Sequence, residues 1–284
     1  MRAFEPSRTA MAVALQRAAH QTIDEPKVFD DALAVRIIGE KNQSVLRAFI
    51  DQSDNDPVIA SSRAFLVARS RYTEDRIADA IRRGVKQCLI LGAGLDTFGY
   101  RCQAPGVKII EVDHPATQSW KRNLLQEAGI VVPESLSFIP VDFSRTTIET
   151  ALTKTSWSAD RPLFVSWLGV ASYLTRDTVM NMLRFVSSLT SGSEIVFDYV
   201  TSPSLWTEAQ QQWFEWLNPR IDATGEPLQT FFDPTDLIDH LTKMGFVAID
   251  DVAPEALNTR YFAGRKDNLK TITTLSHLLH ARLR

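Results

Sequence analysis

The sequence predicts an α/β protein: a doubly wound, mostly parallel sheet with helices on both faces. Three observations lead there. From residue 87 onward, short apolar runs (87–91, 108–112, 136–141, 163–168 and 194–199) alternate with stretches that read as helices, a rhythm that implies parallel strands joined by right-handed crossovers. The first run ends in a glycine turn, Gly92-Ala93-Gly94, and the second run closes on an acid, Asp113. The chain has 284 residues, 44% of them apolar, enough for one large domain with a sizeable core.

Bulk composition narrows the function classes. Lys and Arg number 31 against 34 Asp and Glu, a net charge of −3. This argues against a nucleic-acid partner held by bulk charge. Cys88 and Cys102 form neither a disulfide framework nor a metal set, and Cys88 reads as a small apolar strand residue. The N-terminal residues carry charges without an apolar signal core, and no run of about 18 apolar residues occurs. A cytoplasmic protein with no membrane partner and no metal is expected, and its oligomeric state is open.

Residues 1–84 read as an N-terminal helical cap and 85–284 as the core. Within the cap, 10–19 is rich in Ala, Met and Leu, 30–38 reads as a helix, 51–57 as a polar loop, and 63–83 as a long helix stopped by Gly84. In the core, Pro115 opens a helix running to residue 127. Residues 176–189 form the cleanest helix, with Val179, Met182, Leu183 and Val186 at i, i+3, i+4 and i+7. Residues 202–232 break the rhythm with Trp206, Trp213 and Trp216, too long a stretch for a connection, and read as an insertion with its own helix over the site. Asp233 and Pro234 start a helix that Gly245 ends. The runs 246–249 and 260–264 read as a terminal hairpin, and 268–282 as a last helix.

The glycine turn followed by a strand-end acid is the layout of a nucleotide-type cofactor site, in which the backbone approaches the ligand and the acid holds ribose hydroxyls. Position 97 is Thr where a dinucleotide fingerprint has its third glycine. Close approach of a pyrophosphate to a helix N-terminus is therefore not provided for. A cofactor with a ribose and no phosphate fits better, and S-adenosylmethionine (SAM) is the common one.

With GAGLDT, then YR, then EVDHP, PVDF and WLGVASYLT, together with Ser7–Ala10, Phe29–Asp31 and Ala68-Arg69, nearly the whole chain resembles SAM-dependent O-methyltransferases of the leucine carboxyl methyltransferase type, bacterial branch. The resemblance implies a class I, Rossmann-like fold with seven strands, the last antiparallel, and SAM as cofactor with S-adenosylhomocysteine as product. Residue by residue it implies that Gly92 and Gly94 pass close to the methionine part of SAM. Asp113 would take the ribose hydroxyls, Asp142 and Phe143 the adenine, and Arg69 the SAM carboxylate with help from Arg8. A guanidinium fork suits that last task because it binds a carboxylate bidentately. In one place the chain departs: many relatives have a glutamate five residues before the tyrosine of the fourth-strand motif, and here Leu168 stands before Tyr173. Trp167 or a backbone group is the expected substitute.

Each candidate has a plainer reading. Asp113 could cap the helix at Pro115, Asp142 could be a turn residue, and Arg69 could lie on a solvated face. Asp96 and Thr97 organise the turn, and Tyr100 and Arg101 pack and pair locally. The Trp cluster is either cap core or the wall of an acceptor pocket. The catalytic residues are left unknown, with Trp167, Tyr173 and His114 as candidates for positioning. A carboxylate, with a pKa near 4, is already anionic and needs no general base, whereas a phenol near 10 gains from one. With no obvious base in the sequence, a small carboxylic acid is the favoured methyl acceptor. A phenol or hydroxyl acceptor and a non-catalytic SAM-binding protein are the alternatives. A nicotinamide dehydrogenase is disfavoured by the incomplete glycine pattern.

Overall fold

A computed structural model of the protein describes residues 6–142, 146–153, 155, 157–223, 225–272 and 275–284. The chain opens with helices α1 (Arg8–Ile23), α2 (Ala34–Ile37), α3 (Gln43–Asn55) and α4 (Pro57–Arg82). The core then runs β1 (Gln87–Leu91), α5 (Phe98–Arg101), β2 (Lys108–Asp113), α6 (Pro115–Glu127), β3 (Leu136–Pro140), α7 (Ile148–Leu152), β4 (Leu163–Trp167), α8 (Arg176–Ser187) and β5 (Glu194–Thr201). It finishes with α9 (Glu208–Asp222), β6 (Phe231–Phe232), α10 (Pro234–Lys243), β7 (Phe246–Val252), α11 (Pro254–Leu257) and β8 (Ser276–Leu283).

The strands lie in the order β3-β2-β1-β4-β5-β8-β7, with the two-residue β6 beside the end of β5. All pairs from β3 through β5 are parallel, and β8 is antiparallel to both β5 and β7. Strands β1, β4 and β5 are buried along their whole length, as expected of a parallel sheet covered on both faces. One face carries Leu89, Leu91, Ile110, Val112, Val165, Trp167, Ile195 and Phe197 against α7, α8 and α10. The other carries Cys88, Ile90, Ile109, Phe164 and Val196 against α4. The helical face of 176–189 is where its period placed it: Val179, Leu183 and Val186 are fully buried.

α1, α2 and α3 share a separate core with Leu95 and α6. They are tied down by buried ion pairs. Arg17 pairs with Asp31 and donates to Thr97 Oγ1, which itself donates to Asp31 at 2.7 Å. Arg101 reaches Asp31 at 3.2 Å and also pairs with Glu74. Thus Thr97 and Arg101 do organise the turn and pair locally, while Asp96 accepts from the Phe98 amide at 2.7 Å. Asp24 is gripped by the Arg63 fork at 2.8 and 2.9 Å and by His20 at 2.7 Å.

Four local expectations are corrected. Residues 51–55 are helical, because Asp56 caps α4 by accepting from Val58 and Pro57 takes its first turn, so α4 begins six residues early. The predicted helix at 30–38 shrinks to α2, since the Asp31 side chain is spent accepting from Leu33 and pairing with Arg17. Residues 258–262 form a π turn instead of a strand. Residues 276–283 form β8 instead of a helix. Leu278, Leu279 and Ala281 suit a helix by propensity, yet they fill the gap between β5 and β7 and are fully buried, so tertiary pairing overrides propensity.

At the edge of the sheet away from the glycine turn, Glu194 is fully buried, accepting from His280 at 2.8 Å and pairing with Arg83. Burial works to raise its pKa, but the hydrogen bonds from His280 and Arg83 outweigh it and hold the carboxyl below its ordinary 4.5. A carboxyl depressed in the folded state stabilises the fold above pH 4.5, and that contribution is lost as pH falls through the folded value. Glu194→Gln is therefore expected to cost about 1–3 kcal/mol at pH 7. The gap to wild type should narrow in acid, which urea unfolding at pH 7 and at pH 4 will read.

Candidate cofactor site

Parallel pairing brings the C-terminal ends of β1, β2, β4 and β5 to one edge of the sheet, where open α/β folds bind ligands. Gly92 and Gly94 lie there with φ +64° and +45°, a region that glycine enters without strain. The Gly92 and Ala93 amides both donate to Val112 O, at 2.8 and 3.2 Å, so the turn is stitched to the end of β2. A Cβ at Gly92 would lie 2.3 Å from Val170 Cγ2, and one at Gly94 would lie 3.1 Å from Ala10 Cβ. The loop after β4 and the start of α1 therefore close onto the turn.

Asp113 ends β2 and accepts from the Gly94 amide at 2.5 Å and the His114 amide at 2.6 Å. Burial pushes its pKa up, against the opposing pull of those two amides. The helix cap that could have been its only role falls to His114, whose Nδ1 accepts from Ala116 N at 3.3 Å. Asp142 stands two residues beyond β3, one strand over from Asp113: Asp113 is in register with Pro140, and Val141 N donates to Asp113 O at 2.8 Å. Phe143 lies outside the described residues.

Arg69 sits on α4, 6% exposed, so the solvated-face reading is corrected: it points at the sheet and pairs with Asp198 of β5 at 2.7 Å. Its Nε is buried without a hydrogen-bond partner, an orphaned donor of the kind a ligand carboxylate would satisfy. Gly169, with φ +69°, lets the chain pass the guanidinium, since a Cβ there would lie 3.1 Å from Arg69 Nη1. Asp198 also accepts from the Gly169 amide at 2.6 Å. Tyr173 lies within electrostatic reach of Asp198, Arg69 and Glu226. Burial, then Asp198, pushes its hydroxyl up to about 12.

Trp167 is 1% exposed and packs on Phe197 with ring centroids 6.0 Å apart, in the face of the sheet opposite Arg69. The structure therefore brings Gly92, Gly94, Asp113 and Arg69 to one edge with Tyr173 and His114, and separates Trp167 from them. Arg8 is exposed at the first turn of α1. Beside it, Ser7 and Thr9 donate to Glu226 at 3.2 and 2.6 Å, tying the start of α1 to the segment after α9. Within the insertion, Trp206 is buried with Phe214 and Phe231 and donates its indole N–H to Thr201 O at 3.1 Å, which makes it core of the cap. Trp216 is 43% exposed.

Asp198, Gly169 and Glu226 were not singled out from the sequence. Asp198 did carry a signal, since an acid in the apolar run Ile195–Val200 needs a partner. Glu226 carried none.

The residues present fit SAM in their chemistry: a glycine turn at a strand end, a strand-end carboxylate for a ribose diol, and a buried guanidinium with a spare donor. Asp113→Ala is expected to weaken S-adenosylhomocysteine binding at least about 10-fold, measured by calorimetry on a variant that still melts cooperatively. An unchanged affinity would remove Asp113 from the site.

Comparison with known proteins bears on the same point. The sequence profile of the leucine carboxyl methyltransferase family matches residues 10–187. A candidate S-adenosyl-L-methionine-dependent methyltransferase of Bacillus subtilis, YktD, is 32% identical over 304 aligned positions covering 99% of each chain. A similarly named Mycobacterium tuberculosis protein, Rv1896c, is 28% identical over 86% of this chain and 80% of its own. Among solved structures, a candidate methyltransferase from Thermobifida fusca superposes with a TM-score of 0.62 at 18% identity, over 100% of this chain and 97% of that one. A DUF574 family protein from Streptomyces avermitilis gives 0.58 at 16% identity, over 94% and 100%. The structural likenesses speak to the fold alone, and the sequence matches settle the family: the chain belongs to the leucine carboxyl methyltransferase family and is a SAM-dependent methyltransferase.

Proposed function

We propose that the protein transfers the methyl group of SAM to a carboxylate oxygen of a small molecule, giving a methyl ester. SAM supplies a methyl group already activated on a sulfonium. Asp113 would hold the ribose, Asp142 would border the adenine, and Gly92, Gly94 and Arg69 would receive the methionine part. The chain's own task is then to orient the acceptor in line and to exclude water. Val170 and Ala10, packed on the glycine turn, suit the second part of that task.

The observation that carries the reading is that each titratable group described around the site already has a partner or keeps its proton, which leaves acceptor capacity for a cofactor but no group placed as a general base. Asp113 is occupied by two amides, and Asp198 by Arg69 and Gly169. Tyr173, with its hydroxyl near 12, keeps its proton at neutral pH. His114 Nδ1 is engaged as the cap of α6, accepting from the Ala116 amide at 3.3 Å. Such a site suits an acceptor that arrives ionised, and it disfavours a phenol.

A screen of matched pairs, the same scaffold bearing a carboxylic acid or a phenol, with SAM labelled in its methyl group, tests this. Base-labile label in the acids is expected. The rate should stay flat between pH 6 and 8, because a carboxylic acid with a pKa near 4 is fully ionised throughout. Label confined to the phenols, with a rate that climbs as the phenol ionises towards its pKa near 10, would overturn the proposal.

A further inference from the structure

The first two turns of α1 are held differently from the rest of the helix. Its buried side begins at Ala14, and residues 7–13 are all partly or fully exposed. From Arg17 onward the helix is anchored by the buried pair with Asp31. At the start, Met11 and Val13 are only partly buried, and polar contacts do much of the holding. The Ser7 amide donates to Thr117 Oγ1 of α6 at 3.2 Å, and the Ser7 and Thr9 hydroxyls donate to the Glu226 carboxylate at 3.2 and 2.6 Å. The helix dipole favours a carboxylate at this first turn. Glu226 is itself fixed from behind. Three residues on, the Gln229 amide donates to Ser172 O at 2.7 Å and its side chain to Tyr173 O at 2.6 Å, which fastens this segment to the loop after β4.

We propose that Glu226 is a positioning residue for the cofactor: it clasps the start of α1 over the glycine turn and so sets how fast SAM enters and its product leaves. This rests on the placement of the cofactor at the glycine turn given above. Ala10 is where clasp and site meet, since a Cβ at Gly94 would lie 3.1 Å from Ala10 Cβ. On the other side, a Cβ at Gly92 would lie 2.3 Å from Val170 Cγ2. A ligand laid along this turn is shut in by α1 and by the 168–170 loop, and it exchanges only when one of them moves. The loop is tied at its centre, where the Gly169 amide donates to the buried Asp198 at 2.6 Å. The start of α1 is the part that can swing, because its opening exposes little apolar surface and breaks a few hydrogen bonds. Movements of this kind set the turnover of many enzymes through product release.

The test is stopped-flow mixing with S-adenosylhomocysteine, with calorimetry for the Kd, on wild type, Glu226→Ala, Thr9→Val and the double variant. Glu226→Ala should raise the association and dissociation rates together by about 10-fold, the scale of a hydrogen bond to a charged group. The Kd should stay unchanged, which also certifies the fold. Thr9→Val should shift both rates in the same direction, and adding it to Glu226→Ala should change nothing further, because its partner is already gone. Thr9→Val alone carries the test should Glu226→Ala fail to fold. A rise in dissociation alone, with the Kd weakened by the same factor, would overturn the clasp, since that marks a residue that stabilises the bound ligand directly. Unchanged rates in both single variants would overturn it as well. Failure of wild type to bind S-adenosylhomocysteine would instead overturn the cofactor placement beneath it.

Discussion

Parallel pairing of β1 with β2 on one side and β4 on the other governs the geometry of the site. It sends the glycine turn, Asp113, the 168–170 loop and Asp198 to the same edge. The stitching is local: one carbonyl, Val112 O, takes both the Gly92 and Ala93 amides, and the Asp113 side chain takes Gly94. A one-residue slip of β2 would turn Asp113 to the opposite face and break all three bonds. Because β1, β4 and β5 are buried on both faces, such a slip would also bury the wrong side chains.

The charges on the α4 side of the sheet follow from that burial. Arg17 with Asp31, Arg63 with Asp24, and Arg69 with Asp198 are each buried as pairs, with further hydrogen bonds from hydroxyls and amides. Removing one partner of such a pair costs far more than the pair contributes, so these contacts fix arrangement more than they add stability. Glu111 is the exception in degree. Burial outweighs Lys121, which donates at 2.7 Å, and lifts the carboxyl to about 7, while its Oε1 is left without a partner.

The covering layer is joined to the site at two points. Ala10 of α1 rests on Gly94, and Ser7 and Thr9 hold Glu226 from the far side of the insertion. The segment that opens the chain and the segment between β5 and β6 therefore meet over one edge of the sheet. Residues that meet at this edge come from parts of the sequence more than 200 positions apart.

The sequence by itself determined the parallel core, its five early strands, the glycine turn with Asp113, the long helix bearing Arg69, and the family motifs. These features are written in short-range periodicity and spacing, and their signals survive without knowledge of neighbours. Only the tertiary structure decided that 276–283 is a strand, because Leu278 and Ala281 become strand residues only once β5 and β7 flank them. It alone sent Trp167 to the face away from Arg69, since the side of a fully buried strand cannot be read where both sides are apolar. It also set Asp198 of β5 against Arg69 and the Gly169 amide, cross-element relations fixed by register that no spacing along one chain encodes.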